Sequence, residues 1–420
     1  MPLLLMLCIH TRAQDSTRQI PNGTDGLILT VPDSDMVAGK YKGLKPNEFD
    51  GNFSTCTLGL GFIYDFAAYA QDQAFRQQMD TAGFSLGPTF KVRDFRVLVS
   101  GVLKTKRPIS WKFAYMYDGN LNTWLVRETG VTVGVPELKG DIFIGRTKEG
   151  FSMVKVMNGH SPWTNERQMA LDPIPILADG IKYFGYLPKS GIFWNLGAYT
   201  DWISKTQAFS TFHWQYDARV GWMRYLNKEN NELLHIAVNL RYGKPADGKF
   251  VIKSRPESNP TPQILNTGNF ATDHSSHLGY EIYYNRGSLL IGSEAMVHSF
   301  YSDTARNHRF FGGDVMIGWL FNHGRRPYRT AGSLFGFVQV PRSVFAGGWG
   351  QWEAVVHLST FNLNDQDIQG GQFWRITPMV NWYMSKVMRF ELIYGYGIFD
   401  RYDMKGKVQF FETRIQFTVM

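Results

Sequence analysis

Along most of the chain, apolar and polar residues alternate one by one. In the last stretch, QFFETRIQFTVM, Phe411, Thr413, Ile415, Phe417 and Val419 fall on one parity, and Glu412, Arg414, Gln416 and Thr418 on the other. A period of two belongs to a β-strand, whose successive side chains point to opposite faces; an oily face backed by a charged one marks a boundary between two solvents. WKFAYMYD repeats the pattern, with Trp111, Phe113, Tyr115 and Tyr117 against Lys112, Ala114 and Met116. LHIAVNLRYG sets Leu234, Ile236, Val238, Leu240 and Tyr242 against His235, Ala237, Asn239 and Arg241. FWRITPMVNWY sets Trp374, Ile376, Val380 and Trp382 against Arg375, Thr377 and Asn381. Similar segments lie near 90–103, 123–135, 139–147, 192–203, 213–226, 278–300, 310–321, 347–361 and 387–399. With hairpin arms counted separately, the pattern predicts about sixteen strands of roughly ten residues each. No helical period persists over any long stretch, so the chain reads as all-β.

Two architectures accept such strands. A soluble propeller or sandwich buries its oily faces in a packed core and shows repeats of fixed length; no such repeat occurs here. The largest aromatics instead stand at the ends of the oily faces, as in Trp111 with Tyr117 and Trp374 with Trp382. Interfacial girdles occupy those positions on a barrel in lipid. The pattern therefore predicts a transmembrane antiparallel β-barrel, whose last strand pairs with its first so that no edge is left open. No apolar run reaches the roughly 18 residues of a transmembrane helix. That excludes a helical membrane bundle and leaves a barrel untouched.

Two regions depart from alternation. Residues 1–14, MPLLLMLCIHTRAQ, carry an apolar stretch from Leu3 to Cys8 ahead of Thr11-Arg12-Ala13-Gln14. This reads as an export signal, shortened at its start because no Lys or Arg precedes the apolar part. A polar segment, 15–52, rich in Gly, Asp, Asn and Pro, follows on the periplasmic side, and the barrel occupies 53–420. Within it, 148–180 has no period of two and is interrupted by Pro162, Pro173 and Pro175, yet it is too rich in Met, Ile, Leu and Trp to stay disordered. Its expected place is the lumen, as a pore-constricting loop.

Composition narrows the picture. Aromatics make up 15% of 420 residues and charged residues only 19%, with 42 Gly, which suits strands and tight turns. The net charge of +8 invites nucleic acid, anionic surfaces or small anions. Lys and Arg are spread thinly with no run longer than two, which counts against nucleic acid. Loss of the signal removes Cys8 and leaves Cys56 alone, so no internal disulfide is available.

The chemistry to look for is fixed positive charge at a constriction, where a narrow low-dielectric passage magnifies it. Arg holds two oxygens of an oxyanion in its planar fork, and Lys acts as a point charge. Strand parity turns Lys112, Arg241, Arg375 and Arg414 inward, while Lys148, Lys155 and Arg167 belong to the unpatterned loop. These seven are the candidate pore residues. The competing reading makes them wall charges neutralised nearby, since Arg414 stands two residues from Glu412 and Arg167 follows Glu166. Within transport the alternative is a general or sugar-accepting diffusion channel; an aromatic track would favour sugars, but the aromatics that can be placed lie on the lipid parity. His274 and His277 sit in a polar stretch and read as a solvated loop rather than a metal pair. Gly59-Leu-Gly61 has no phosphate-cradle pattern after it, no G-x-S-x-G marks a nucleophile, and no cofactor motif is present. An enzyme is not expected; a barrel enzyme or surface-binding protein is the alternative from another class.

Three stretches and the C-terminus also carry a family resemblance. EFDGNFSTCTLGLGFIYDFAAYAQD (48–72), IGRTKEGFS to NER (144–167), GGWGQWEAVVHLSTFNLND to GGQFWRITPMVNWY (347–383), and the ending FDRYDMKGKVQFFETRIQFTV resemble the phosphate-selective porin O and P family. The similarity runs from about residue 40 to the end. It implies a sixteen-stranded outer-membrane barrel, commonly a homotrimer set in outer-membrane lipid, that passes anions such as phosphate without a cofactor. It also implies a third loop folded into the lumen, where 148–180 lies, and Arg and Lys along the pore. The chain departs from the family's terminal aromatic, because Thr418, Val419 and Met420 follow Phe417.

Overall fold

The alternation becomes sixteen antiparallel spans of one closed sheet. They are β1 Thr55–Gln71, β2 Thr89–Leu103, β3 Ile109–Asp118, and β4 in two pieces, Thr123–Val126 and Thr129–Val135. Then come β5 Gly140–Thr147, β6 Ala178–Leu187, β7 Ile192–Thr200, β8 Phe212–Asn227, β9 Glu232–Pro245 and β10 His274–Arg286. The last six are β11 Leu289–Tyr301, β12 His308–Leu320, β13 Gln351–Asp365, β14 Ile368–Tyr383, β15 Met388–Arg401 and β16 Met404–Val419. The structure is a computed structural model describing residues 46–203, 212–402 and 404–419; the expected export signal and most of segment 15–52 lie outside the described residues.

Each strand pairs with the next, and β16 pairs with β1 from Leu60–Val419 to Gln71–Val408, which closes the barrel. The two-faced ending thus has its physical reason: both edges of the final strand are hydrogen-bonded, to β15 and to β1. Parity holds around the wall. On β9, Ile236, Val238 and Leu240 are exposed on the outside, while Ala237, Asn239 and Arg241 are buried inside. On β16, Phe411, Ile415 and Phe417 face out and Glu412, Arg414, Gln416 and Thr418 face in. The outer surface is therefore an apolar belt, as lipid requires.

Aromatics gather near both rims of this belt. Toward the rim holding the two termini, Trp111 donates to Ser54 Oγ, and Trp352 stacks on Trp382 with ring centroids 4.8 Å apart. Toward the opposite rim, Tyr115 and Tyr117 pack against Trp124.

Three long connections occupy the barrel interior. Residues 148–177 (β5 to β6) and 246–273 (β9 to β10) enter from the rim opposite the termini, and 321–350 (β12 to β13) enters from the terminal rim. Phe151, Met153, Trp163, Phe250, Ile264, Tyr328 and Phe335 from these segments form one apolar cluster with the inward Tyr283, Phe300, Phe361 and Phe373 of the wall. A helix, α1 (Gln73–Thr81), leaves β1 with Asp72 capping the amide of Phe75 and lays Phe75 and Met79 into the same cluster. Gly406 on β16 admits it, because a Cβ there would stand 2.4 Å from Phe75.

The sequence pattern marks only the first of these segments. The other two, punctuated by Gly and Pro, pass for ordinary turns. The reading of His274 and His277 as a solvated loop is also corrected: both lie on β10. His274 stacks on Tyr301 at 4.8 Å, while His277 is buried with its Nδ1 2.7 Å from Nδ1 of His298. Short polar residues flanking them hid a strand of ordinary two-residue period.

Candidate functional site, a cationic cavity on one wall

The interior is filled unevenly. Inward residues of β9 to β15 are sealed: His235, Asn239, Glu281, Glu294, Arg375, Asn381 and Glu391 are all fully buried. On β2, on β3 and in the break of β4, Arg96, Lys112 and Glu128 keep part of their side-chain surface, at 14%, 19% and 27% exposed. Between this wall, residues 156–160 of the infolded loop and residues 331–334 of the terminal-rim segment lies a cavity of about 240 Å³. Its charged lining consists of Arg96, Lys112, Arg127, Lys148, Lys182 and Arg219, with Glu128 as the one carboxylate. That volume falls below the roughly 300–1,000 Å³ of drug-sized pockets.

Local sequence puts these groups there. Arg96 lies between the outward Phe95 and Val97, Lys112 between Trp111 and Phe113, and Lys182 between Ile181 and Tyr183. Arg127 and Glu128 occupy the break between the two pieces of β4. Lys112 Nζ lies 3.0 Å from one Glu128 oxygen and Lys148 Nζ 3.7 Å from the other. Lys148 also donates to the carbonyl of Met157. Lys182 Nζ donates to Thr147 Oγ1 at 3.0 Å and to the Lys148 carbonyl at 3.3 Å. The Phe143 ring sits 5.2 Å from Lys112 Nζ and 5.7 Å from Lys182 Nζ, so its negative face serves both cations. Among the described residues neither Arg127 nor Lys182 forms an ion pair. Arg219 and Arg96 are partly neutralised, by Glu281 at 2.8 Å and Asp94 at 2.6 Å.

The infolded loop is anchored across the lumen. Its first turn, α2 (Met153–Val156), presents the Met153 amide to Glu294 on β11, and the Gly150 amide meets Asp217 on β8. Asn381 on β14 and Arg389 on β15 donate to the carbonyls of Trp163 and Pro162. His160 lies 2.6 Å from Thr418 Oγ1 and 3.2 Å from Asp94 Oδ1. It reaches β1 because residue 61 is glycine; a Cβ there would stand 2.6 Å from the imidazole. Burial, with Arg96 nearby, pushes His160 down to about 3, so the ring is neutral at neutral pH.

The seven sequence candidates separate into two groups. Lys112 and Lys148 line the cavity. Burial lowers Lys148 well below its ordinary value, with Glu128 pulling the other way. The remaining five are engaged elsewhere. Lys155 and Arg241 share Glu149, at 2.6 and 3.1 Å, and burial pushes Lys155 down to about 8. Arg375 pairs with Glu412 at 2.8 Å. Arg414 joins Asp65 and Glu166, each at 2.6 Å. Burial opposes the charge on Glu166, yet Arg93 and Arg414 together hold it down at about 2. Arg167 donates from Nε to the carbonyl of Val154 at 3.1 Å, and burial beside Arg93 and Arg127 pushes it down to about 9. The same parity rule that found Lys112 points to Arg96, Lys182 and Arg219, which the sequence reading passed over. Arg127 and Glu128 carried no such signal, because a strand break resets parity.

Among the described residues, no group of three or more His, Cys, Asp or Glu side chains is placed to hold a metal ion. Comparison with curated proteins finds no sequence match. Solved structures share the fold at low identity. OmpT of Vibrio cholerae in its trimer form is 11% identical with a TM-score of 0.55, covering 88% of this chain and 100% of that one. The anion-selective porin from Comamonas acidovorans is 12% identical with a TM-score of 0.54, covering 87% of this chain and 100% of its own. The outer membrane channel DcaP of Acinetobacter baumannii is 9% identical with a TM-score of 0.53, covering 87% and 98%. Residues 57–418 match the family described as phosphate-selective porin O and P. With that match spanning nearly the whole barrel, the chain is an outer-membrane porin and belongs to the phosphate-selective porin O and P family.

Proposed function

We propose that this porin lets small anions diffuse passively across the outer membrane, with phosphate-like oxyanions among its permeants. The observation that carries the reading is the lining of the cavity beside β2 to β6, six cationic side chains against one carboxylate. In a confined site the field of a fixed charge is screened less than in bulk water, so such a lining concentrates anions and repels cations. Lys112 and Lys148 are then the sequence candidates that meet the permeant, joined by Arg96, Arg127, Lys182 and Arg219. Lys155, Arg167, Arg241, Arg375 and Arg414 hold the loop and wall around the path. The anion selectivity stated for the Comamonas protein supports this reading, and the trimer form of the Vibrio protein supports a homotrimer in outer-membrane lipid. The terminal rim then faces the periplasm.

The test is chloride current through the purified porin in a planar bilayer with inorganic phosphate added stepwise. The reading expects phosphate to reduce the chloride current in a saturable way. A current indifferent to phosphate at every concentration contradicts a phosphate-like permeant.

A further inference from the structure

Resting on that reading, we infer that Glu128 is a tethered resident anion that sets how tightly the pore holds its permeant. The cavity already contains one carboxylate, and it takes the place an oxyanion would occupy. Its two oxygens are divided between two lysines, Lys112 at 3.0 Å and Lys148 at 3.7 Å. Side-chain exposure of 27% for Glu128, against 6% for Lys148, puts the carboxylate toward the open cavity and the ammonium behind it. Glu128 stands at the break in β4, where Arg127 and Glu128 belong to neither piece of the strand. The Arg127 amide ties this break to the Ala114 carbonyl of β3 at 2.7 Å, so any yielding of Glu128 is a swing of its side chain over a fixed backbone.

Conduction explains why a pore built from cations would retain an acid. A permeant must bind well enough to enter and weakly enough to leave. Arg96 and Arg219 already have carboxylates behind them, but Lys112, Arg127, Lys148 and Lys182 with no internal competitor form a trap. With Glu128 present, an entering oxyanion takes over the contacts of Lys112 and Lys148 as the carboxylate swings aside. The returning carboxylate then displaces the permeant. Lys182 and Arg127, which make no ion pair among the described residues, supply the first attraction. The exchange breaks no covalent bond and moves no proton.

The prediction separates affinity from throughput. Glu128→Gln keeps the shape and removes the charge. Removing a like charge about 4 Å from a bound anion changes its energy by several times thermal energy at an effective dielectric near 20, so the phosphate concentration that halves the chloride current falls by at least about tenfold. The largest phosphate current falls at the same time, because release slows. Glu128→Ser, with the same charge loss and a smaller side chain, behaves alike and serves if the glutamine variant fails to form a heat-resistant barrel. Glu137→Gln, whose exposed carboxylate pairs with Arg107 outside the cavity, leaves both quantities unchanged. Wild-type porin that phosphate blocks, combined with Glu128 variants of unchanged half-blocking concentration, overturns the inference and leaves the anion reading standing. Wild-type current that phosphate never reduces overturns both.

Discussion

Arg326 sends Nη2 to within 3.0 Å of both carboxylate oxygens of Glu353, while its Nη1 donates to the carbonyl of Ser161 at 2.9 Å. One guanidinium thus joins the segment entering from the terminal rim, the wall strand β13 and the loop entering from the other rim. Trp163, 5.5 Å from the same guanidinium and stacked edge-on against Phe335, completes the seam. Breaking a buried pair by removing one partner costs about 3–5 kcal/mol. Because the sheet ladder does not depend on this contact, the cost falls on the docking of residues 321–350. Arg326→Leu is expected to give larger and noisier single-channel currents from a barrel that still resists heat and detergent in gel electrophoresis. Unchanged current would mean that the segment does not limit passage.

A second prediction concerns the closing seam. Arg414 on β16 meets Asp65 on β1 through two contacts of 2.6 and 2.8 Å, both side chains buried. Asp65→Asn leaves Arg414 with Glu166 as its one carboxylate in contact, beside the Asn165 carbonyl, and should lower the temperature at which the barrel band disappears on a gel. Asp65→Leu combined with Arg414→Leu should recover much of that loss, since replacing a whole buried pair with apolar residues is often neutral.

Acid should loosen the infolded loop. His160 has its affinity for a proton depressed in the folded state, to about 3 against an ordinary value near 6.5. Between those two values the unfolded or undocked form binds a proton that the docked form does not. Stability of docking is therefore fully present above about pH 6.5 and falls by about 1.4 kcal/mol per pH unit below it. Current noise should rise as pH falls from 7 to 4 in the wild type and stay flat over that window in His160→Gln.

Charge reversal distinguishes the cavity wall from the braced wall. Lys182→Glu places a negative charge on the proposed path, and like charges about 4 Å apart at an effective dielectric near 20 repel by about 4 kcal/mol. Anion preference should drop sharply. Arg241→Gln instead frees half of Glu149 from its pairing, and its main effect should be on barrel stability. Zero-current potentials and melting temperatures of the two variants check this division.

The wall was legible in the sequence and its pairing was not. Alternation identified β16 residue by residue, because a one-residue slip would put Glu412 and Arg414 into lipid. It also turned Lys112, Arg241, Arg375 and Arg414 inward. Their partners could not be read locally. Arg414 lies two residues from Glu412, yet residues two apart on a strand are separated by about 6.6 Å of rise and lie side by side on one face. Arg414 bonds instead to Asp65 and Glu166, and Glu412 receives Arg375. These contacts cross from strand to strand or from wall to loop, over sequence distances that no local pattern encodes. The segment 321–350 escaped for a related reason: its Tyr328 and Ser333 meet His235 on β9 and Arg219 on β8, 93 and 114 residues away in the chain.

The central claim is that the path through this porin favours anions because its open side is cationic. The most direct measurement is the zero-current potential of the purified wild-type protein in a planar bilayer separating concentrated from dilute potassium chloride. The account predicts a potential of the sign set by chloride moving down its gradient, shrinking when Lys112, Arg127 and Lys182 are together replaced by glutamine. A potential of zero, or one of the sign set by potassium, would contradict it.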